Sequence, residues 1–290
     1  SRRPNITAYS RQLARYGIVG ITDTSASNTT DTLADFQRLS DGGELLQHFS
    51  LMGSDDLDSG YLKILLDEDR LPDLANLVGR INQARRKGRN LAFHCVTHLE
   101  LVFALAALAE AAPCEAGFDR IEHGAVVNDE MAHRLADLGL PVITQPGFLF
   151  SKGDQYLADL TRTELGSLYR FAGLQRQGVC VVASSDAPYG LVNPWQVISS
   201  AATRRTRLGA TVGEHEQITA EQALTGYLTP SVRLNQRSSF AQARTVKVGM
   251  PADLCVLQGE WSAQRGEAGE LEVRATLVGG SVVFDRTQTG

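Results

Sequence analysis

The sequence predicts an α/β protein built as a TIM-type (β/α)8 barrel that lacks its first strand and ends in a small β appendage. Seven short apolar runs of β type alternate with longer runs of helical periodicity, and such alternation produces parallel strands joined by right-handed crossovers. Seven strands are one short of a closed eight-stranded barrel. After about residue 240 the helical periodicity ends, and short β-type runs and glycines follow. We therefore expect a barrel domain over residues 1–240, incomplete at its N-terminus, and the C-terminal part of a small β-sandwich over residues 241–290.

The predicted strands and helices alternate along most of the chain. Strands are expected at residues 18–24, 48–53, 61–66, 90–95, 120–124, 141–145 and 179–185. Helices are expected where good helix formers occur with apolar residues at helical spacing, at residues 74–86, 99–111, 129–138, 163–176 and 194–205. An open doubly wound sheet is the alternative fold, and it should carry a glycine-rich phosphate loop after its first strand. Residues 23–27 contain no glycine, so the barrel is favoured.

The C-terminal region predicts a β-hairpin. Residues 273–278 and 281–285 are short β-type runs, and Gly279 and Gly280 between them supply the turn. This pattern indicates a small β domain rather than a further turn of the barrel.

Composition and charge limit the classes of function. The chain is 43% hydrophobic with a net charge of −5, and its Lys and Arg residues are scattered, so a nucleic-acid-binding surface is not indicated. The sequence has no apolar run long enough to span a bilayer. Four cysteines without CxxC or zinc-finger spacing favour a reduced, cytoplasmic protein. The expected partner is a small-molecule substrate, rather than nucleic acid or a membrane, and homo-oligomer formation is left open.

Four side chains with metal-binding or ionisable groups lie at or near the carboxyl ends of four different predicted strands. They are Lys63, His94, His123 and Asp186. Catalytic groups of (β/α) barrels project from these ends, so the four should converge if the barrel forms. Neutral imidazoles are common zinc ligands, and an aspartate that leaves an apolar strand can hold a metal and accept a proton from its water.

Lys63 interrupts an otherwise apolar strand, and a lysine inside a barrel is costly unless it is paired or chemically altered. A desolvated lysine can lose its proton and capture CO2 as a carbamate, which ligates metal as a carboxylate does. The alternative is an ion pair with a nearby acid such as Asp67 or Glu68.

Structural explanations also stay open for the other candidates. The two histidines could be unrelated, and Asp186 could cap the following helix. For His98, a role in substrate binding and a position at the start of the next helix are equally favoured. The remaining histidines singled out are interpreted as surface or loop residues: His48, His133 and His215.

Two segments after predicted strands, residues 147–156 and 187–195, are interpreted as specificity loops. Aromatic side chains there would suit an apolar or planar substrate, although such residues are as often simple loop packing. The candidate walls are Phe148, Phe150, Tyr156, Tyr189 and Trp195.

In this order and spacing, several segments resemble the amidohydrolase superfamily, especially its amidohydrolase-3-like bacterial branch. The similar segments are Leu62-Lys63-Ile64, Ala92-Phe93-His94-Cys95-Val96-Thr97, Arg120-Ile121-Glu122-His123-Gly124, Thr144-Gln145-Pro146, Ser185-Asp186-Ala187-Pro188-Tyr189-Gly190, Thr219-Ala220-Glu221-Gln222-Ala223-Leu224 and Gly249-Met250-Pro251-Ala252-Asp253-Leu254. The resemblance runs through nearly all of the chain.

The resemblance implies one or two divalent metal ions, expected to be zinc, although manganese and iron accept the same ligands. Lys63, as a carbamate, would bridge two ions or coordinate one. His94 and His123 would complete the more buried position, and Asp186 would bind metal and serve as general base. The substrate-binding candidates are His98, Gln145 and Tyr189.

The function implied is hydrolysis of a C–N bond, of amide, cyclic amide or carbamate type, in a small molecule. One departure from the superfamily stands out, because the His-x-His pair of the first barrel strand occurs nowhere in this sequence. The sequence opens on Ser-Arg-Arg-Pro, so we expect it to begin after that strand. A catalytically incompetent fragment is therefore one alternative. A deaminase is the other, although adenosine-type deaminases place a glutamate where Thr97 stands.

Overall fold

The computed structural model describes residues 5–113, 119–229, 245–261 and 271–288. Its larger sheet contains seven parallel strands that pair strictly in chain order. Such an order, with no reversal, is that of a barrel sheet, whereas a doubly wound sheet reverses its order at a switch point. The fold is therefore α/β with a curled, barrel-type sheet, as predicted. The seven strands are β1 Gly20–Asp23, β2 His48–Gly53, β3 Tyr61–Leu65, β4 Leu91–Cys95, β5 Arg120–His123, β6 Val142–Thr144 and β7 Val181–Ala183.

All seven strand predictions are confirmed, and six of the strands are shorter than predicted. The helices are α1 Ile6–Arg15, α2 Thr30–Asp41, α3 Leu74–Arg86, α4 His98–Glu110, α5 Asp129–Asp137, α6 Gly147–Asp159, α7 Arg162–Gly166, α8 Ala172–Arg176, α9 Pro194–Thr203 and α10 Ala220–Leu228. Local signals set their ends: Thr97 and Glu100 form a capping box at the start of α4, and Asp73 caps α3. No helix in these described ranges is both long and apolar enough to cross a bilayer.

Two predictions about the region after β6 are wrong. The segment 147–156 is not a loop, because it forms the first part of helix α6. The single helix expected at residues 163–176 is two short helices, α7 and α8, with Tyr169 between them at a φ of 42°. In this interruption the Arg170 guanidinium donates to the Glu216 carboxylate at 3.0 Å and to the Val127 carbonyl at 3.2 Å.

A smaller antiparallel sheet follows near the C-terminus, with strands β8 Leu254–Leu257, β9 Val273–Val278 and β10 Ser281–Asp285 in the order β10-β9-β8. The predicted hairpin is confirmed, since β9 and β10 pair directly. This sheet contacts α1, where the buried Thr276 hydroxyl donates to the Ala14 carbonyl at 2.7 Å. The domain boundary expected at residue 240 lies outside the described residues.

The two faces of the barrel strands carry different residues. Alternate strand residues such as Leu62, Phe93 and Cys95 belong to the large apolar core that also includes residues of the surrounding helices. The opposite face carries a small apolar cluster of Met52, Tyr61 and Ala92. This second face is the barrel interior, and it positions the site described next.

Candidate active site

The strand register places Lys63 and His94 on the interior face. Lys63 lies opposite Ala92, and Leu65, two residues further along β3, lies opposite His94. Partners across a parallel pair share a face, and residues two apart on a strand share it as well. Lys63 and His94 therefore project into the barrel from adjacent strands, with His94 nearer the carboxyl end.

His123 reaches the same place by a backbone turn. It lies opposite Cys95, whose side chain faces the helices, so a regular strand would direct His123 outward. Its φ of 71° is in the left-handed region and redirects the side chain. The His123 and His94 rings meet edge to face with centroids 4.4 Å apart. The structure thus brings the two predicted histidines together.

Gln145, just after β6, fixes the orientation of the His123 ring. Its Nε2 donates to the Ile143 carbonyl and the Ser184 hydroxyl, both at 2.9 Å. A carbonyl only accepts, so Nε2 must face Ile143 and Oε1 must face His123. His123 Nδ1 lies 2.8 Å from that Oε1 and is therefore the protonated nitrogen. The lone pair of Nε2 on His123 is left for another partner, as in metal-binding histidines.

Electrostatics favour neutral imidazoles. Burial, and then the positive charge of Lys63, lowers the pKa of His94. Burial, and then the neighbouring His94, lowers the pKa of His123 to about 4. Both rings are therefore neutral at pH 7, which is the form that donates a lone pair to a metal.

Lys63 is 4% exposed, and burial is the largest cause of the lowered pKa of its ammonium group. The charge of Arg120 lowers that pKa further, whereas Glu122 and Asp186 oppose the shift. Among the described residues Lys63 forms no ion pair, so the alternative of a bridge to Asp67 or Glu68 is wrong.

A buried ion pair lies beside Lys63 on the interior face, and sequence reasoning assigned no role to it. Arg120 Nε is 2.5 Å from Glu122 Oε1, and the two residues are 2% and 4% exposed. The Arg120 guanidinium carbon also lies 4.6 Å from the centroid of the Tyr61 ring. Burial raises the pKa of Glu122, but the charges of Arg120 and Lys63 outweigh this and lower it. The two-residue spacing of Arg and Glu on one strand was the signal that could have revealed the pair.

Asp186 follows β7 with a φ of 50° and is half-buried. Burial raises the pKa of its carboxyl, and the positive charges of Lys63 and Lys152 act in the opposite direction. Asn193, not Asp186, caps the following helix α9 through its side chain. The helix-cap explanation of Asp186 is therefore wrong.

The candidate metal ligands do not form a complete site by themselves. In the described part of the chain, no three His, Cys, Asp or Glu side chains are arranged to hold a metal. His94 and His123 offer two imidazole nitrogens side by side, and Asp186 follows β7 at the carboxyl end of the same parallel sheet. An ion here would therefore depend on Lys63 as a further ligand.

The other histidines and the tyrosine are more peripheral. His98 is exposed and is the first residue of α4, and Tyr189 is 73% exposed in the segment after β7. Whether they contact substrate stays a prediction, as it does for Gln145. His48 is not a surface or loop residue, because it begins β2 and its Nε2 lies 3.0 Å from Asp253 Oδ1.

Comparisons with known proteins identify a family and a shared fold. The model of the amidohydrolase family matches residues 4–284. An N-substituted formamide deformylase of Arthrobacter pascens is 29% identical over 212 residues, which cover 71% of this chain and 38% of that protein. The chain thus spans well under half the length of that relative.

Solved structures share the fold at low sequence identity. An uncharacterized metal-dependent hydrolase from Pyrococcus furiosus superposes with a TM-score of 0.64 at 20% identity, covering 76% of this chain and 53% of that one. The ochratoxinase of A. niger superposes with a TM-score of 0.65 at 14% identity, covering 97% and 75% of the two chains. Both matches concern the fold.

Proposed function

Because the chain belongs to the amidohydrolase family, we propose that it hydrolyses a C–N bond of amide, cyclic amide or carbamate type in a small molecule, with a divalent metal as cofactor. The observation that supports this proposal is the edge-to-face contact of His94 and His123 beside the buried Lys63, at the end of the barrel where Asp186 follows β7. The relative from Arthrobacter pascens, named as a deformylase of N-substituted formamides, supports a C–N bond as the target.

The metal would be held by the imidazoles of His94 and His123, by Asp186, and by Lys63 in neutral or carbamylated form. When bound, a divalent ion such as zinc supplies a Lewis acid for the scissile carbonyl and lowers the pKa of water to about 7. Gln145 binds Nδ1 of His123, which leaves the lone pair of Nε2 available for such an ion. The buried ion pair of Arg120 and Glu122 adds one positive and one negative charge beside Lys63.

Asp186 would move the proton. Its carboxylate would accept a proton from the attacking water and deliver it to the leaving nitrogen. The raised pKa of this carboxyl makes Asp186 a stronger base than an exposed aspartate, which suits both transfers.

The test is a hydrolysis assay of the purified chain, loaded with Zn²⁺ or Mn²⁺, on N-substituted formamides, lactams and N-acyl compounds. Asp186→Asn is the matched inactive variant, because it keeps the size of the side chain and removes its basicity. We expect turnover that depends on added metal and is lost in this variant. A folded, metal-loaded chain that cleaves none of these compounds would refute the proposal.

A second candidate is a non-catalytic member of the family that retains only part of the site. The absence of a three-ligand cluster of His, Cys, Asp or Glu in the described ranges favours it. Metal content after dialysis separates the two candidates. The enzyme should keep close to one ion per chain or more, and the non-catalytic protein should keep clearly less.

A further inference from the structure

A cavity of about 890 Å³ lies between helix α1, the first residues of α9 and the small antiparallel sheet. We call it the α1 cavity. Pockets that bind small molecules typically have volumes of about 300–1,000 Å³, so this one is large enough for such a ligand. None of the four proposed metal ligands is among the described residues that line it. The α1 cavity is therefore separate from the candidate active site.

Two arginine side chains of α1 line the α1 cavity, and neither is engaged elsewhere within the described ranges. Arg11 and Arg15 are four residues apart, so they lie on one face of the helix. Both are exposed, and neither makes a hydrogen bond or an ion pair with another described residue. Like charges at this spacing destabilise a helix slightly. An anion held between the two guanidinium groups would remove that repulsion.

The other charges that line the α1 cavity compensate each other. Arg286 Nη1 donates to Glu272 Oε1 at 3.0 Å, and Arg286 Nε donates to the Val273 carbonyl at 3.0 Å. Among the described lining residues, Arg11 and Arg15 thus remain as the uncompensated positive charges. A phosphate monoester carries a charge of about −1.5 to −2 at pH 7, and the planar guanidinium fork matches phosphate oxygens in pairs. This pair of arginines therefore suits a phosphate better than a singly charged carboxylate.

Aromatic side chains form another part of the wall. Trp195 and Phe284 line the α1 cavity from α9 and β10. Trp195 was a candidate wall of the substrate site, and its position here is fixed by two contacts. Its Nε1 donates to the Tyr16 carbonyl at 3.2 Å, and its ring packs on that of Trp261 with centroids 6.0 Å apart. A preorganised apolar wall loses little entropy when it contacts a flat, apolar group, so the α1 cavity offers a phosphate site and an aromatic surface together.

We propose that the α1 cavity binds a small molecule that carries both a phosphate monoester and a planar ring, as a mononucleotide does. Arg11 and Arg15 would bind the phosphate, and Trp195 and Phe284 would contact the ring. This goes beyond the proposed function and does not rest on it, because neither a metal nor a scissile bond takes part. It gives the chain a second ligand site, between the barrel and the small sheet.

The test is equilibrium binding of AMP to the purified chain, measured by calorimetry. No divalent metal is added, so that the phosphate cannot bind through an ion at the candidate active site. Adenosine is the probe that lacks the phosphate, and inorganic phosphate is the probe that lacks the ring. Tryptophan fluorescence reports on the same place, because Trp195 lines the α1 cavity and Trp261, the second of the two tryptophans, packs on it.

Two variants remove one charge each, Arg11→Met and Arg15→Met, and Arg15→Lys keeps the charge without the planar fork. Arg86→Met is the matched control, because Arg86 is an exposed arginine in the last turn of α3, as Arg15 is in the last turn of α1, and it does not line the α1 cavity. Replacing Arg11 or Arg15 removes no contact with another described residue, so the melting temperature should not fall. If it does fall, Arg11→Gln and Arg15→Gln provide the same comparison with a polar side chain.

We expect AMP to bind more tightly than adenosine or inorganic phosphate, with a fluorescence change that saturates together with the heat of binding. Arg11→Met and Arg15→Met should each weaken AMP binding by about tenfold, a typical loss for a hydrogen bond to a charged group, and should leave adenosine binding unchanged. Arg15→Lys should keep part of the affinity for AMP, and Arg86→Met should bind AMP like the parent chain.

Absence of AMP binding, or binding that is the same in the parent chain and in both Met variants, would overturn the proposal. Inorganic phosphate bound as tightly as AMP would remove the role of the aromatic wall and overturn the ligand class. An equal loss in Arg86→Met would show a general effect of surface charge rather than a site. Heat of binding without a change in tryptophan fluorescence would place the ligand elsewhere on the chain.

Discussion

Replacing Arg120 by Met should destabilise the protein strongly, because it leaves the Glu122 carboxylate buried without its partner. At the 2.5 Å between Arg120 Nε and Glu122 Oε1, the Coulomb attraction is roughly 7 kcal/mol at an effective dielectric of about 20. Desolvation of both groups offsets most of this attraction, so the measured quantity is the penalty on the unpaired charge, about 3–5 kcal/mol. Lys63 is the remaining cation near Glu122 and should bring the loss towards the lower value, about 3 kcal/mol.

The assay is urea unfolding at pH 7, with the free energy of unfolding compared among variants. The double variant Arg120→Met/Glu122→Met should recover most of the loss, because no buried charge is left unpaired. Arg134→Met is the control, since Arg134 and Glu130 form an ion pair 3.1 Å long with both side chains more than half exposed, which is worth about 1 kcal/mol at most. A loss for Arg120→Met no larger than that of the control, or a double variant no better than the single one, would refute the reasoning.

Three further predictions concern Gln145, which orients the His123 ring, Asp186 as the proton acceptor, and the buried Arg204. Gln145→Leu should weaken zinc affinity by about 10- to 100-fold, because His123 loses the partner that orients its ring. Chelator competition measures this affinity, and an unchanged value would show that Gln145 does not support the site. For a metal-loaded active chain, kcat/KM should fall as the pH falls through the pKa of Asp186, which burial raises, because the protonated carboxyl cannot accept a proton; an acid limb that persists in any residual activity of Asp186→Asn would contradict this. Arg204→Met should cost about 3 kcal/mol or more in unfolding free energy, because three buried carbonyls, of Leu168, Tyr169 and Val212, lose their donors; Arg205→Met is the exposed control.

The strands were predictable because their local pattern and their tertiary environment agree. Short apolar runs are what a buried parallel strand requires, and the predicted runs contain the three to six residues that form each of β1 to β7. The repeat of strand and helix then sets the order of the sheet, and the order places the strand ends together. Lys63 and His94 could be placed from this reasoning alone.

Helix α6 was missed for a reason that the packing explains. The segment was assigned to a loop because it follows a predicted strand. A Cβ at Gly147 would lie 3.2 Å from the Val197 side chain of α9, and one at Gly153 would lie 2.7 Å from Thr206. These glycines allow close approach of the helix to its neighbours, and this tertiary demand is not visible in the local sequence. The same limit applies to the interruption between α7 and α8, where Arg170 binds Glu216, a residue distant in the chain.

The position of His123 was predicted correctly from its place at the strand end, but the way it is reached was not. Strand alternation puts the residue opposite Cys95 on the outer face, and only the left-handed backbone turns it inward. A single sequence does not show that a histidine will adopt this conformation. Strand alternation places Arg120 and Glu122 on one face of β5, so their ion pair could have been predicted. It was not predicted because residues 120–124 were considered only for their histidine.

The left-handed backbone at His123 also shows how a strained residue is kept in place by its side chain. This conformation costs an L-residue about 1–2 kcal/mol and costs glycine almost nothing. Glycine would nevertheless leave the buried Gln145 oxygen without its donor, a loss of about 1–3 kcal/mol. Relief of the backbone strain would therefore be offset by the lost imidazole, and selection for thermal stability alone would not favour glycine at this position.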